Sequence, residues 1–346
     1  MRRPLSAVFV CALALAALTS CSSGASPTQP KATPPGTTPA PKLSAGQHAT
    51  VTYCNHERAR ITEPTTLHGP APAAVYVHGG SWISGNYDSG GFLINTIGPD
   101  LAAQGLVVVS VDYRLGPKAK WPDQIIDVKC AIRYLRANAA QLNIDPNEIG
   151  AWGQSAGGHL VALLGTAGPK AGWDVGAYPE ESSKVEAVVD MAGPSDLLTL
   201  GNQGDSLLVA ETFVKLLGPI PHKMLGADLR AASPVTYVSP GDPPFLVMHS
   251  TDDEIVYPQQ SNELSWDLGA NDVPHQLLIV ERGGHEFDNP GAQPTEAGIS
   301  RAVAEFFVRT LAFHQPITNS TTVGSLPTGD SNTGTTGTNT ALSGHG

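Results

Sequence analysis

From about Gln47 to His314 the apolar positions follow two alternating rhythms. Ala73-Ala74-Val75-Tyr76-Val77 is a short apolar run followed by His78 and two glycines. Leu106-Val107-Val108-Val109-Ser110-Val111 is continuous and β-branched, the pattern of a strand covered on both faces. From Asp123 to Ala139, Ile126, Cys130 (or Ala131), Tyr134 and Leu135 recur at helical spacing, which predicts an amphipathic helix. A very short strand is predicted over Ile149–Trp152, running into Gly153. Val185–Met191, Phe245–His249 and Gln276–Val280 predict further strands, and Gly298–Leu311 a last helix. Strands alternating with helices predict an α/β fold with a mostly parallel, doubly wound sheet. The stretch from Asp196 to about Val238 interrupts this rhythm with helix-like pieces such as Ser206–Leu217. It predicts a small helical cap above the carboxyl ends of the strands, where open α/β sheets bind ligands.

Composition narrows the class. The 346 residues are 41% hydrophobic and 15% charged, as in a globular chain with a substantial core. The net charge of −11, with no cluster of Lys and Arg, argues against a nucleic-acid partner. At the start, Arg2-Arg3 precedes an apolar run from Leu5 to Leu18 that is too short to span a bilayer unaided. It ends in Leu18-Thr19-Ser20-Cys21, which resembles a bacterial lipoprotein box. That resemblance implies a signal peptide over residues 1–20, lipidation of Cys21, and a partner in the membrane through the acyl chains. The chain would then be exported and held on the outer face of the cell membrane, or on the outer membrane of a host with two. An ordinary secretory signal, with Cys21 incidental, is the plainer alternative. Residues 21–46 are rich in Pro, Thr, Ser and Ala and predict an extended tether, and residues 315–346 predict a disordered tail. The folded domain is accordingly expected over 47–314, with its cap at about 196–238.

Of four cysteines, Cys11 falls in the leader and Cys21 at the proposed lipid site. Cys54 and Cys130 remain, an even number in an exported domain, so a disulfide and a pair of buried thiols are both open.

The chemistry centres on Gly153-Gln154-Ser155-Ala156-Gly157. In a chain with 37 glycines such a match is weak alone, but here a predicted strand precedes it and Gly158-His159-Leu160-Val161-Ala162-Leu163-Leu164 continues as helix. This is the setting of a nucleophile elbow, in which the serine hydroxyl stands clear and the Ala156 amide faces a developing oxyanion. His78-Gly79-Gly80-Ser81-Trp82 follows an earlier strand, and its glycines free the Gly79 and Gly80 amides to complete an oxyanion hole. His285, after Gly283-Gly284 and just past a strand, is the candidate general base; His78, His159 and His249 have plausible structural roles. For the acid, Asp252, Asp253 and Asp196 all follow core strands, Asp196 also suiting a helix N-cap. There is no HExxH, paired CxxC or carboxylate–glycine loop to suggest a metal, and no cofactor is called for.

Together these residues resemble the α/β-hydrolase superfamily, specifically its hormone-sensitive-lipase-like bacterial esterases and the branch with feruloyl and acetylxylan esterases. The likeness runs from about Ala73 to Thr310 through His78-Gly79-Gly80-Ser81-Trp82, Val111-Asp112-Tyr113-Arg114-Leu115, Trp121-Pro122, Gln154 to Leu160, and Ala232-Ser233-Pro234-Val235. It implies an α/β-hydrolase fold, Ser155 as nucleophile, Asp253 as acid, His285 as base, and Gly79, Gly80 and Ala156 as oxyanion donors. It also implies that Asp112-Tyr113-Arg114 is a buried brace behind the site. Ser81 and Ser250 depart from the family, in which many members have a third glycine at the first position and glycine is usual at the second. The expected substrate is a short-chain, polymer- or lipid-derived carboxylic ester. Trp82, Tyr87 and Trp173 are candidates for its pocket and equally for the core. An amide-cleaving, arylformamidase-like hydrolase and a non-catalytic binding lipoprotein are the alternatives.

Overall fold

A nine-stranded sheet forms the middle of the molecule, in the order β1-β2-β4-β3-β5-β6-β7-β8-β9. In chain order the strands are β1 (His48–Thr52), β2 (Arg58–Thr62), β3 (Ala71–Val77), β4 (Val107–Val111), β5 (Ile144–Gln154), β6 (Ala187–Met191), β7 (Phe245–Ser250), β8 (His275–Val280) and β9 (Ser320–Val323). The first two pairings, β1–β2 and β2–β4, are antiparallel and all the others parallel. The computed structural model describes residues 34–324 apart from 67, 202–212, 214–215 and 217–224. The leader, Cys21, much of the cap and the end of the tail lie outside the described residues.

The central strands read as unbroken apolar runs because both faces of the sheet are covered. Val75, Val77, Val109 and Ala151 face one core, shared with Ile125, Val128 and Ile132 of α2 (Asp123–Ala137) and Leu160 and Leu163 of α3 (Ala156–Thr166). Ala74, Tyr76, Val108 and Trp152 face the other, with Leu101 of α1 (Gly98–Ala103) and with Ile299, Val303 and Phe307 of a C-terminal helix, Glu296–Phe307.

Four differences from the sequence reading have physical causes. Strand β5 begins at Ile144, not Ile149, because Ile144 still pairs with Ala71 of β3, the polar Asp145-Pro146-Asn147-Glu148 lying in a register shift before the Ala73–Ile149 pair. The β1–β2 hairpin carries the half-exposed alternation of an edge and no strong apolar signal. Folded structure also continues past His314: β9 pairs in parallel with β8, and Ile317 is buried. This edge strand is all Ser, Thr and Val and is held by backbone bonds rather than by an apolar face. At the other end, the described part of the expected tether docks on the domain. The Thr38 amide donates to the Thr52 carbonyl at 2.7 Å, and Ala40 and Leu43 pack against the core.

In the cap region, α4 (Leu197–Leu200) is capped by the Asp196 carboxylate, which accepts the Leu198 amide at 2.8 Å, and a second helix spans Leu225–Ala231. Leu216 is buried, and its carbonyl accepts the Trp121 amide at 3.0 Å.

Cys54, in a short turn between β1 and β2, is bonded to Cys130 of α2, with Cα atoms 6.2 Å apart. The bridge pins the edge hairpin to the helix across 76 residues of chain. Beside it, the Asn55 amide donates to Asp127 at 2.7 Å. A loop of this length is worth about 4 kcal/mol in the chain-entropy view. The Cys54→Ser/Cys130→Ser protein is therefore expected to lose about 2–4 kcal/mol in urea unfolding. An unchanged midpoint would show that the cross-link contributes nothing.

Candidate active site

The carboxyl end of β5 turns sharply into α3 at Ser155, whose φ of 57° and ψ of −123° lie outside the ordinary regions. Only small neighbours permit that turn. A Cβ on Gly157 would stand 2.0 Å from the Val77 carbonyl oxygen, and one on Gly153 would meet Val77 and Gly157 backbone atoms at 2.7 Å. The bend is further fixed by the Ser155 amide, which donates to the Met191 carbonyl at 2.9 Å. Ser155 thus precedes the first turn of an eleven-residue helix, whose free N–H groups and positive dipole end favour developing negative charge.

Behind this turn lies His78-Gly79-Gly80-Ser81-Trp82. Gly80 has φ +104°, and a Cβ there would strike the Ser84 carbonyl oxygen at 2.3 Å. A Cβ on Gly79 would lie 3.3 Å from that of Ser155, which places this backbone against the nucleophile candidate. The loop is held from two sides. The Tyr113 hydroxyl donates to the His78 carbonyl at 3.0 Å while its ring stacks on the imidazole. The Trp82 indole N–H donates to His159 Nδ1 at 3.2 Å, and His159 Nε2 in turn donates to the Ala232 carbonyl at 2.6 Å. Burial lowers the His159 pKa to about 4, so this imidazole stays neutral and joins α3, the glycine loop and the chain leaving the cap. Asp112 and Arg114 extend the brace. Asp112 accepts the Tyr87 amide at 2.6 Å and Arg58 at 3.2 Å, and Arg114 grips buried Asp127 through Nε and Nη2.

Of the two readings open for Trp82 and Tyr87, pocket wall or core, the contacts described are those of the core. The Trp82 indole is buried and engaged with His159, whereas Tyr87 lies under the Arg58 and Arg60 guanidinium groups at 4.9 and 5.3 Å. Trp173 packs edge-on against Trp121 and Tyr237 in the core. All three serve the scaffold.

The third component comes from the loops after β7 and β8. His285 Nδ1 donates to Asp253 Oδ2 at 2.7 Å. Asp253 is buried, and its Oδ1 accepts the Ile255 and Val256 amides at 2.9 and 3.0 Å. Burial alone would raise the Asp253 pKa, but hydrogen bonds and charge from His249 and His285 outweigh it and hold the carboxyl well below the usual range. Asp252 is turned elsewhere: its Oδ1 accepts the Gly284 amide at 2.9 Å and the Ser250 hydroxyl at 2.6 Å. Ser250 Oγ also accepts the Gly283 amide at 2.7 Å. Ser250 and Asp252 therefore clasp the two residues before His285. Sequence reasoning missed this role, although the serine in place of the family's usual glycine marked the position. Asp196 is occupied as an N-cap.

Gln154 ties the two halves together. Its side-chain amide donates to the His285 carbonyl at 2.9 Å, so the elbow holds the histidine loop directly. Ser155, Gly79, Gly80, Ala156, His285 and Asp253 are thus organised around one end of the sheet. Among the described residues no group of three or more His, Cys, Asp or Glu side chains is placed to hold a metal ion, and no helix is long and apolar enough to cross a membrane.

A mostly parallel sheet with helices on both faces, a serine elbow and a His–Asp pair on the following loops define an α/β hydrolase. The BD-FAE family model matches residues 60–268, and the chain belongs to this hormone-sensitive-lipase-like family. It is 34% identical over 224 residues to Esterase LipC of Mycobacterium tuberculosis, covering 63% of this chain and 54% of LipC. To the probable carboxylic ester hydrolase LipM of the same organism it is 31% identical over 256 residues, covering 72% of this chain and 58% of LipM. The chain thus spans about half the length of these curated relatives. Among solved structures, a truncated carbohydrate esterase from gut microbiota superposes with a TM-score of 0.64 at 28% identity, over 79% of this chain and 100% of that one.

Proposed function

We propose that the chain is a serine carboxylesterase in which Ser155 attacks, His285 is the base and Asp253 the acid. The observation that carries the reading is the 2.7 Å bond from His285 Nδ1 to a buried carboxylate, on a loop bonded to the serine elbow. With Nδ1 donating to Asp253, Nε2 of a neutral His285 is left bare to take the Ser155 proton as the hydroxyl adds to the ester carbonyl. The tetrahedral oxyanion is received by the Gly79, Gly80 and Ala156 amides, each such donor being worth about 3–4 kcal/mol of barrier. His285 then protonates the leaving alcohol, and water repeats the sequence on the acyl-enzyme. The names of the relatives support ester hydrolysis, and a carbohydrate esterase among the neighbours supports a polymer-derived ester.

The test is a panel of p-nitrophenyl esters from acetate to palmitate, acetylated and feruloylated sugars, and arylformamides. Turnover of acetyl or butyryl esters at least tenfold above the long-chain esters and the amides is expected. Preferred cleavage of formamides would replace the reading with an amide-cleaving hydrolase. We also propose that the enzyme is exported and anchored through Cys21. The sequence around Cys21 and a disulfide of the kind that persists outside the cytosol support this. Metabolic labelling with an alkynyl fatty acid is expected in the wild-type protein and absent from Cys21→Ser; an unmodified mature N-terminus would contradict the anchor.

A further inference from the structure

Asp253 has a second histidine. His249, at the end of β7, is fully buried, and its Nε2 stands 3.2 Å from Asp253 Oδ2 and 2.7 Å from the Val256 carbonyl oxygen. Both neighbours can only accept, so Nε2 carries the proton. Nδ1, 2.6 Å from the Ser261 hydroxyl, is then the acceptor of that hydroxyl. Ser261 belongs to the helix Gln259–Ala270, is fully buried, and selects the tautomer. Counting the Ile255 and Val256 amides, the carboxylate accepts three N–H bonds, and the His249 Nε2–H, bonded to the Val256 carbonyl, stands beside Oδ2 as a fourth, longer contact.

We infer that His249 is a positioning residue of this site: its Nε2–H, held between the Val256 carbonyl and Asp253 Oδ2, places a positive dipole end on the oxygen that His285 uses and so tunes the basicity of the His285 imidazole. The inference rests on the triad reading above. A donor on a carboxylate draws off negative charge. With His249 so placed, Asp253 stabilises the His285 imidazolium less, and the imidazole remains unprotonated, and so able to act, to lower pH. Oδ2 is fixed in place, because the carboxylate cannot rotate without breaking the Ile255 and Val256 bonds to Oδ1 and the His285 bond to Oδ2. Three ionisable groups face His249 or its partner: Asp253 on the next loop, His285 through Asp253, and Asp190 of β6. Asp190 is fully buried, accepts the Gly193 amide at 2.9 Å, and is pushed up to about 6 by burial against the opposing pull of His249. From the helix Gln259–Ala270, the neutral Ser261 hydroxyl makes the contact.

The experiment compares His249→Gln with His249→Asn in the full-length protein. A glutamine amide nitrogen reaches about where Nε2 stood and keeps the donor, whereas an asparagine nitrogen stops near Nδ1 and loses it. Both variants remove the pull of His249 on Asp190 alike, so the contrast between them is free of it. The His285 titration is followed by NMR of 15N-histidine-labelled protein, alongside the acid limb of kcat/KM for p-nitrophenyl acetate. In His249→Asn both are expected to move upward by about half a pH unit or more, for one neutral hydrogen bond. They should stay within about 0.2 of wild type in His249→Gln, with KM changed less than about twofold in either. Identical titrations in all three proteins, or equal movement in both variants, would overturn the inference. Should His249→Asn fail to fold, His249→Met, which lacks the donor and fills the buried space, takes its place with the same upward movement expected and the same null result overturning the inference; a wild-type spectrum with the proton on His249 Nδ1 would also remove it. Because NMR reads His285 without any turnover, a protein inactive on esters would count against the triad reading and not against His249.

Discussion

Replacing Ser155 by alanine is expected to lower p-nitrophenyl acetate turnover at least about a thousandfold while leaving the protein folded. The size follows from the loss of the covalent route; the activity that persists comes from binding and the oxyanion donors alone. Retention of the fold follows from the backbone. Ser155 holds φ 57° and ψ −123°, and alanine carries the same Cβ there, so the substitution adds no strain that serine does not already bear. The bonds that fix the turn, Ser155 amide to Met191 and His159 amide to the Ser155 carbonyl, are made by backbone and survive. A normal circular-dichroism melt must therefore accompany the loss. An alanine protein that keeps more than a tenth of wild-type turnover would remove Ser155 as the nucleophile.

Asp253→Asn is expected to lower kcat at least about a hundredfold and up to about ten-thousandfold, whereas Asp252→Asn stays within about tenfold. The local bonding makes the contrast sharp. Both oxygens of Asp253 face N–H donors: Oδ1 the Ile255 and Val256 amides, Oδ2 His285, with the His249 Nε2–H a longer contact at 3.2 Å. An asparagine must turn its NH2 group toward one of these pairs, so each orientation sets donor against donor. If the NH2 faces His285, the imidazole is driven to the tautomer with its proton on Nε2, where it cannot receive one from serine. Asp252 is different, because one acceptor oxygen suffices for the Gly284 amide and the Ser250 hydroxyl, and asparagine keeps one. The reverse ranking, or a collapse seen only in Asp196→Asn, would move the acid to another loop.

These contrasts also show what was legible in the chain. The parallel centre of the sheet was, because a strand covered on both faces leaves an unbroken apolar run such as Leu106 to Val111. The elbow was, because the close approach of Gly157 to Val77 admits nothing larger than glycine. The edges were not: β9 is held by backbone bonds that no side-chain period reports, and the start of β5 hides behind a proline and three polar residues. Among the three carboxylates, periodicity could not choose. Family spacing pointed to Asp253, and the geometry separates it from Asp252 by a hydroxyl, Ser250, that turns the neighbour away. The aromatic residues were not resolved, since Trp82 and Tyr87 read alike as pocket wall or scaffold, and only the structure gives their partners His159 and Arg58. Likewise His249 reads as a strand-end histidine, and nothing local in the sequence tells that its ring meets the carboxylate four residues on.

The central claim is a serine hydrolase centred on Ser155, and labelling with a fluorophosphonate probe tests it most directly. The probe phosphonylates only a serine activated by its base. The wild-type protein is expected to take up about one probe per chain, mapped by mass spectrometry to the peptide bearing Ser155, and Ser155→Ala to take up none. A folded wild-type protein that stays unlabelled, or an alanine variant labelled as well as the wild type, would contradict the account.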